Sequence, residues 1–217
     1  YQINLYDDGK IGRPESIQDI LANLQELLDE NTDLGVSPVD VMTAISDNCA
    51  NDVEGFLYDF ITDQIDESHI SYASDLVDGF AQYVSDPKWF DFLRARVLVD
   101  SDPAAANALF AKLIANASDD PDLEFHLELL AYMVLGGERS LFVALVKAVM
   151  PSIEREEDFS ELLGICVDFY QRLDYEWEDQ ALQDILDERQ AKPSEASVLT
   201  DDPHRTELIR ILEKRAT

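Results

Sequence analysis

The sequence predicts an all-α fold: antiparallel helical hairpins stacked as a right-handed array of about ten to eleven helices. Three observations predict it. First, acid–proline pairs stand at Asp86-Pro87, Asp102-Pro103 and Asp120-Pro121. An aspartate accepts from the free amides of a first helical turn, and proline suits the next position, where no amide bond is lost. Each pair therefore reads as a helix start, and the starts lie 16 and 18 residues apart. Two such intervals span about 34 residues, the length of a helix–turn–helix repeat. Second, apolar residues recur at helical spacing along nearly the whole chain. Third, no stretch shows a comparably regular strand alternation.

Taken in order, residues 1–14 read as an irregular lead-in to a helical domain over 15–190. The first helix starts at Glu15, with Ile17, Ile20, Leu21, Leu24, Leu27 and Leu28 as its stripe, and breaks between Asn31 and Gly35. Ser37-Pro38 restarts a helix that turns Val39, Met42 and Ile45 inward. Asn51 with Glu54 offers a capping box for the third, which buries Val53, Phe56, Leu57, Phe60 and Ile61. The fourth follows Ser68 and aligns Ile70, Ala73, Leu76, Val77, Phe80, Ala81 and Val84. The fifth, from Pro87, is apolar on nearly every side and should be packed all round, at the centre of the array. The sixth runs from Pro103. The seventh runs from Pro121 to Gly136-Gly137, where glycine ends a helix readily. The eighth stops at Pro151. The ninth, from near Asp158, carries Phe159, Leu162, Leu163, Cys166, Phe169 and Leu173, and the tenth holds Trp177, Ala181, Leu182, Ile185 and Leu186. Residues 191–200 read as a linker, and 201–217 as a charge-balanced C-terminal capping helix opened by Asp202-Pro203.

Odd-numbered helices start near 15, 52, 87, 121 and 157, and even-numbered ones near 38, 69, 103, 138 and 174. On this period and pairing, residues 52–188 resemble degenerate tetratricopeptide-like repeats. Small residues such as Ala95, Ala106 and Ala108 stand where helices would approach. The family's glycine in the first helix and its closing proline are not found at regular positions. The resemblance implies a concave groove that holds a peptide or a partner helix, with no chemistry of its own.

Charge is the outlier. There are 46 acidic residues against 16 basic, a net of −30. Between Pro14 and Pro87 stand 17 acids and no Lys or Arg. Such a surface repels phosphate backbones, which argues against nucleic acid as a ligand. It attracts cations and basic protein segments. An excess of Asp over Glu (28 to 18) and of Arg over Lys (10 to 6) also suits a protein of a high-salt cytoplasm. No apolar run approaches the length of a membrane span. The start has neither a charged n-region nor an apolar h-region, so no signal peptide is expected. Cys49 and Cys166 form no metal or redox spacing and suit a reducing, cytoplasmic setting.

The most chemical stretch is Asp29–Asp40. Set against a calcium-binding EF-hand loop, it places Asp29, Asn31, Asp33, Ser37 and Asp40 at ligand positions. Leu34 stands where the sharp turn wants Gly, and Asp40 where a longer Glu is usual. An echo runs upstream from Asn4 to Glu15. The competing reading is an acidic inter-helix turn capped by Ser37. Nothing suggests an enzyme: His69, His126 and His204 are scattered, and there is no phosphate loop or nucleophile elbow. His126 and Cys166 read as helix-face and packing residues, and Trp89, Phe90, Phe92 and Phe110 as core. Glu54, Tyr58, Asp59, Asp63, Asp75 and Asp78 are the candidates for partner contact, since tyrosine among acids anchors a cationic group.

The expectation is a non-enzymatic protein-interaction module: a chaperone, adaptor or secretion-associated scaffold. It presents an acidic surface to a basic or aggregation-prone protein segment. The rivals are an acidic inhibitor or immunity-type protein covering the basic cleft of a nuclease, and a calcium-responsive helical protein using the loop 29–40.

Overall fold

A computed structural model describes residues 15–120 and 122–214. The lead-in 1–14, with the calcium-loop echo running through it, and the expected helix start at Pro121 lie outside the described residues. The described residues form eleven α-helices and no β-strand: α1 Glu15–Asp33, α2 Pro38–Ser46, α3 Val53–Asp66, α4 Ile70–Phe80, α5 Pro87–Leu98, α6 Pro103–Asn116, α7 Leu123–Val134, α8 Arg139–Val149, α9 Glu156–Arg172, α10 Glu176–Arg189 and α11 Pro203–Glu213.

Aspartates start many of these helices, as the sequence suggests, with two shifts. The carboxylate of Asp86 accepts from the Lys88 amide, that of Asp102 from Ala105, and that of Asp202 from His204. The third acid–proline pair works differently. Asp122 caps α7 by accepting from Phe125, while Asp120 accepts from the Asp122 amide. The helix therefore starts at Leu123, two residues later than the pair predicts. At α3 the cap is Asp52, whose side chain accepts from Gly55 at 3.1 Å, rather than Asn51. Glu54 does not complete a capping box; it reaches to Ser85 instead.

The chain divides into two compact units, Tyr1–Phe110 and Ala111–Thr217, with the division falling inside α6. Residues 191–217 fall in the second of these units. In the first unit α1 packs on α2, α3 on α4, and α5 on both α3 and α4. Its core joins Ile17, Leu21 and Leu28 to Met42, Phe56, Phe60, Leu76, Phe80, Phe90 and Leu93. No residue of α5 from Lys88 to Leu98 is exposed, as its all-round apolar sequence suggested. Gly79 of α4 faces the end of the Gln25 side chain of α1: a Cβ there would stand 2.8 Å from its Nε2, and that side chain would have to swing aside.

In the second unit the centre is α9, which packs on α7 and α10. Phe159, Leu162, Leu163, Cys166, Phe169 and Tyr170 are all fully buried, and the rings of Phe142 and Phe169 stack at 3.7 Å. α8 packs on α7, and α11 closes on α10 and α8. In each unit an odd-numbered helix packs on the next odd-numbered one, α3 on α5 and α7 on α9. Those partners start 34 and 33 residues apart. Helices thus pack against near neighbours in the chain, an arrangement compatible with a helical repeat.

α3 and α9 end alike. Ser68 and Asp174 take left-handed backbone, φ 65° and 56°. The following amides, His69 and Tyr175, reach back to the carbonyls of Gln64 and Tyr170. This closes the last helical turn on itself and satisfies its carbonyls.

Residues 191–200 are not a free linker. The amides of Glu156 and Glu157 donate to the carbonyls of Ala196 and Ser194, and Val198 donates to Glu154. Arg155 and Ser197 form an isolated antiparallel bridge, and Val198 is buried. The missed signal was the Val198-Leu199 pair, of which Val198 turns inward and Leu199 outward.

Candidate protein-binding face

The six residues expected to contact a partner lie on α3 and α4, and the fold divides them. Glu54, in the first turn of α3, accepts from the amide and hydroxyl of Ser85 at 2.9 and 2.8 Å. Tyr58 is half-buried with its ring edge-on to Trp89, centroids 4.9 Å apart. Asp78 holds the guanidinium of Arg94 at 2.8 Å. These three therefore join α3 and α4 to the segment 85–94. Asp59, Asp63 and Asp75 are exposed. Asp59 and Asp63 stand one turn apart, on one side of α3.

The acid-only run thus borrows its cations from just beyond Pro87. Arg96 is buried within the unit, donates to Asp66 at 2.7 Å and lies over the Phe92 ring. The remaining acids of α1 and α2 point outward: Asp19, Glu26, Glu30 and Asp40 are all exposed.

The stretch expected to wrap calcium is split between two helices. Asp29, Asn31 and Asp33 stand in the last turns of α1, and Asp40 in the first turn of α2. Asp29 and Asn31, two residues apart on a helix, point about 200° apart, so these two do not converge on one ion as loop donors do. Asp29 accepts from the buried Tyr83 hydroxyl, and the Asn31 amide donates to the Leu27 carbonyl at 2.7 Å. The positive-φ residue of the turn is Gly35, φ 93°, one place later than an EF-hand loop wants it. Among the described residues no group of three or more His, Cys, Asp or Glu side chains is placed to hold a metal.

Sequence reasoning missed the ionic centre of the second unit. The fully buried Arg189 grips Glu156 with two bonds of 2.6 and 2.7 Å and Asp202 with two of 2.9 and 3.0 Å, and its guanidinium lies over the Phe159 ring. Burial pushes the Asp202 carboxyl up, but hydrogen bonds from Arg189 and the His204 amide outweigh it, so its pKa lies below the ordinary value. Arg205 donates to the carbonyls of Met150, Ile153 and Val198. Arg139 donates to those of Leu212 and Lys214 at 2.7 and 2.6 Å. These bonds link residues up to 75 positions apart, beyond the reach of any local pattern. Elsewhere in the unit, burial and then the neighbouring Asp158, Glu128, Glu124 and Glu157 raise the pKa of Glu161. Burial raises that of the Cys166 thiol, which suits an inert packing role.

The arrangement is that of an all-α protein with exposed acids on both units and a buried arginine–carboxylate centre in the second. No family model, curated protein or solved structure matches the chain. Among the described residues no helix is long and apolar enough to cross a membrane.

Proposed function

We propose that this protein is a non-enzymatic interaction module, tetratricopeptide-like in its helix pairing, whose acidic first unit receives a basic or aggregation-prone protein segment. Chaperone, adaptor and secretion-associated scaffold are the roles that fit. The observation that carries the reading is the run of 17 acids without a Lys or Arg between Pro14 and Pro87, with Asp19, Glu26, Glu30, Asp59, Asp63 and Asp75 exposed on α1, α3 and α4. Carboxylates left in solvent cost a fold little, and they raise the encounter rate with a cationic partner. The odd-on-odd helix packing supports the repeat-like part of the reading.

A pull-down with a Lys-rich, aggregation-prone client at rising salt tests it. Retention should fall as salt screens exposed charge, and D59K/D63K should lower it severalfold at low salt. Retention indifferent to both salt and charge reversal would overturn the proposal.

A further inference from the structure

Five large apolar side chains of the first unit stand in solvent within one short stretch: Ile20, Leu27, Leu34, Val36 and Val39, at 38%, 47%, 82%, 45% and 36% exposure. They follow a pattern. Ile17, Ile20, Leu24, Leu27, Asn31 and Leu34 recur at alternating steps of three and four, the spacing of a two-helix seam, with a polar Asn at one inner position. The fold uses only part of it. Ile17 is buried, as are Leu21 and Leu28 beside the seam, whereas Leu24 is half-buried and Ile20 and Leu27 are open. On a helix, Ile20 and Leu27 lie within about 20° of each other, with Leu24 between them and the core. The rows immediately beside this strip carry Asp19, Glu26 and Glu30, all exposed, and no Lys or Arg stands anywhere from Pro14 to Pro87.

We propose that this strip on α1, continued by Leu34, Val36 and Val39, is a docking seam for a basic amphipathic helix of another protein. It rests on the acidic-module reading and names where and how that module binds. The seam spacing calls for a helix with apolar residues at matching steps. The carboxylates along the strip's outer side call for Lys or Arg beside the matching stripe. The same carboxylates argue against a second copy of this chain, which would bring acid to acid at a net charge of −30 per copy. The strip lies on α1, whereas Glu54, Tyr58 and Asp78, which the fold ties to residues 85–94, stand on α3 and α4.

The test uses the full chain and two fluorescent peptides of about 21 residues. One carries Leu at seam positions and Lys beside them; the other has the same composition shuffled out of period. Binding is read by anisotropy, with I20Q/L27Q and D59K/D63K as variants and circular dichroism as the check on folding. The periodic peptide should bind at least about tenfold more tightly than the shuffled one, and I20Q/L27Q should erase that difference. D59K/D63K should weaken both peptides alike. Leu34→Ser, in the turn after α1, provides a second variant should I20Q/L27Q misfold, and it should narrow the difference. If the two peptides bind equally, or neither apolar variant changes their ratio, the seam is wrong while the acidic-module reading stands. If neither peptide binds, both fail. Concentration-dependent dimers in sedimentation, dissolved by I20Q/L27Q, would assign the seam to a second copy and overturn the proposal.

Discussion

Arginine and lysine do different things in the two units. Residues 1–110 hold five of them against 22 acids, and residues 111–217 hold eleven against 24. In the second unit three of the cations turn inward, while Lys112, Lys147, Arg155, Arg172, Lys192, Arg210 and Lys214 are exposed. Arg139 and Arg205 donate to backbone carbonyls, and Arg189 sits between two carboxylates. In the first unit Arg94 pairs with Asp78 and Arg96 with Asp66, and the helices from α1 to α4 carry acids with no Lys or Arg. Similar net acidity therefore has two physical meanings. Both units keep exposed acids; the second also ties distant segments through Arg139, Arg189 and Arg205, whereas the first carries a long run of acids with no Lys or Arg, which acts at range on whatever approaches.

The largest test of this contrast is Arg189→Met. It leaves the buried Glu156 and the half-buried Asp202 with the part-exposed Lys192, at 3.9 and 3.6 Å, in place of the guanidinium, and breaking a buried pair costs about 3–5 kcal/mol. Urea denaturation should show the loss. A loss below about 1 kcal/mol would mean the ionic centre does not hold the second unit together.

A smaller effect should follow pH through Asp202. Its folded pKa is below the unfolded one, so its contribution is present at neutral pH and disappears as pH falls through the folded value. The wild type should therefore lose more stability than Asp202→Asn between about pH 5 and pH 3. Parallel losses in the two proteins would remove Asp202 from the account.

Glu161→Gln should have the smallest effect, with the opposite sign. The folded pKa of Glu161 is raised, so its ionised form opposes folding once pH exceeds the ordinary carboxylate value. The substitution should raise Tm by about 1 °C at neutral pH and leave it unchanged well below that value, because the side chain is exposed to water. A fall in Tm at neutral pH would show that the neighbouring acids do not repel it.

Helix number, order and most starts were legible because capping and periodicity are local. Asp86, Asp102 and Asp202 act on amides two or three residues away. The apolar completeness of α5 likewise reports its burial. The stripe of α1 was legible in period but not in width. Ile17, Leu21 and Leu28 turn inward while Ile20 and Leu27 do not, and periodicity alone does not say how wide a facing surface is. Of the six candidate contact residues, sequence identified acids that are exposed, Asp59, Asp63 and Asp75. It could not foresee that Ser85, Trp89 and Arg94 would engage Glu54, Tyr58 and Asp78. The roles of Arg189 and Arg205 were illegible for the same reason: their partners are distant in the chain.

The left-handed residues that close α3 and α9 leave room for an engineer. Ser68 and Asp174 hold a conformation that a side chain disfavours by about 1 kcal/mol or more and that glycine accepts readily. Each unit contains one such position. Glycine at both would toughen the molecule from two separate places without altering an exposed carboxylate of α1 or α3.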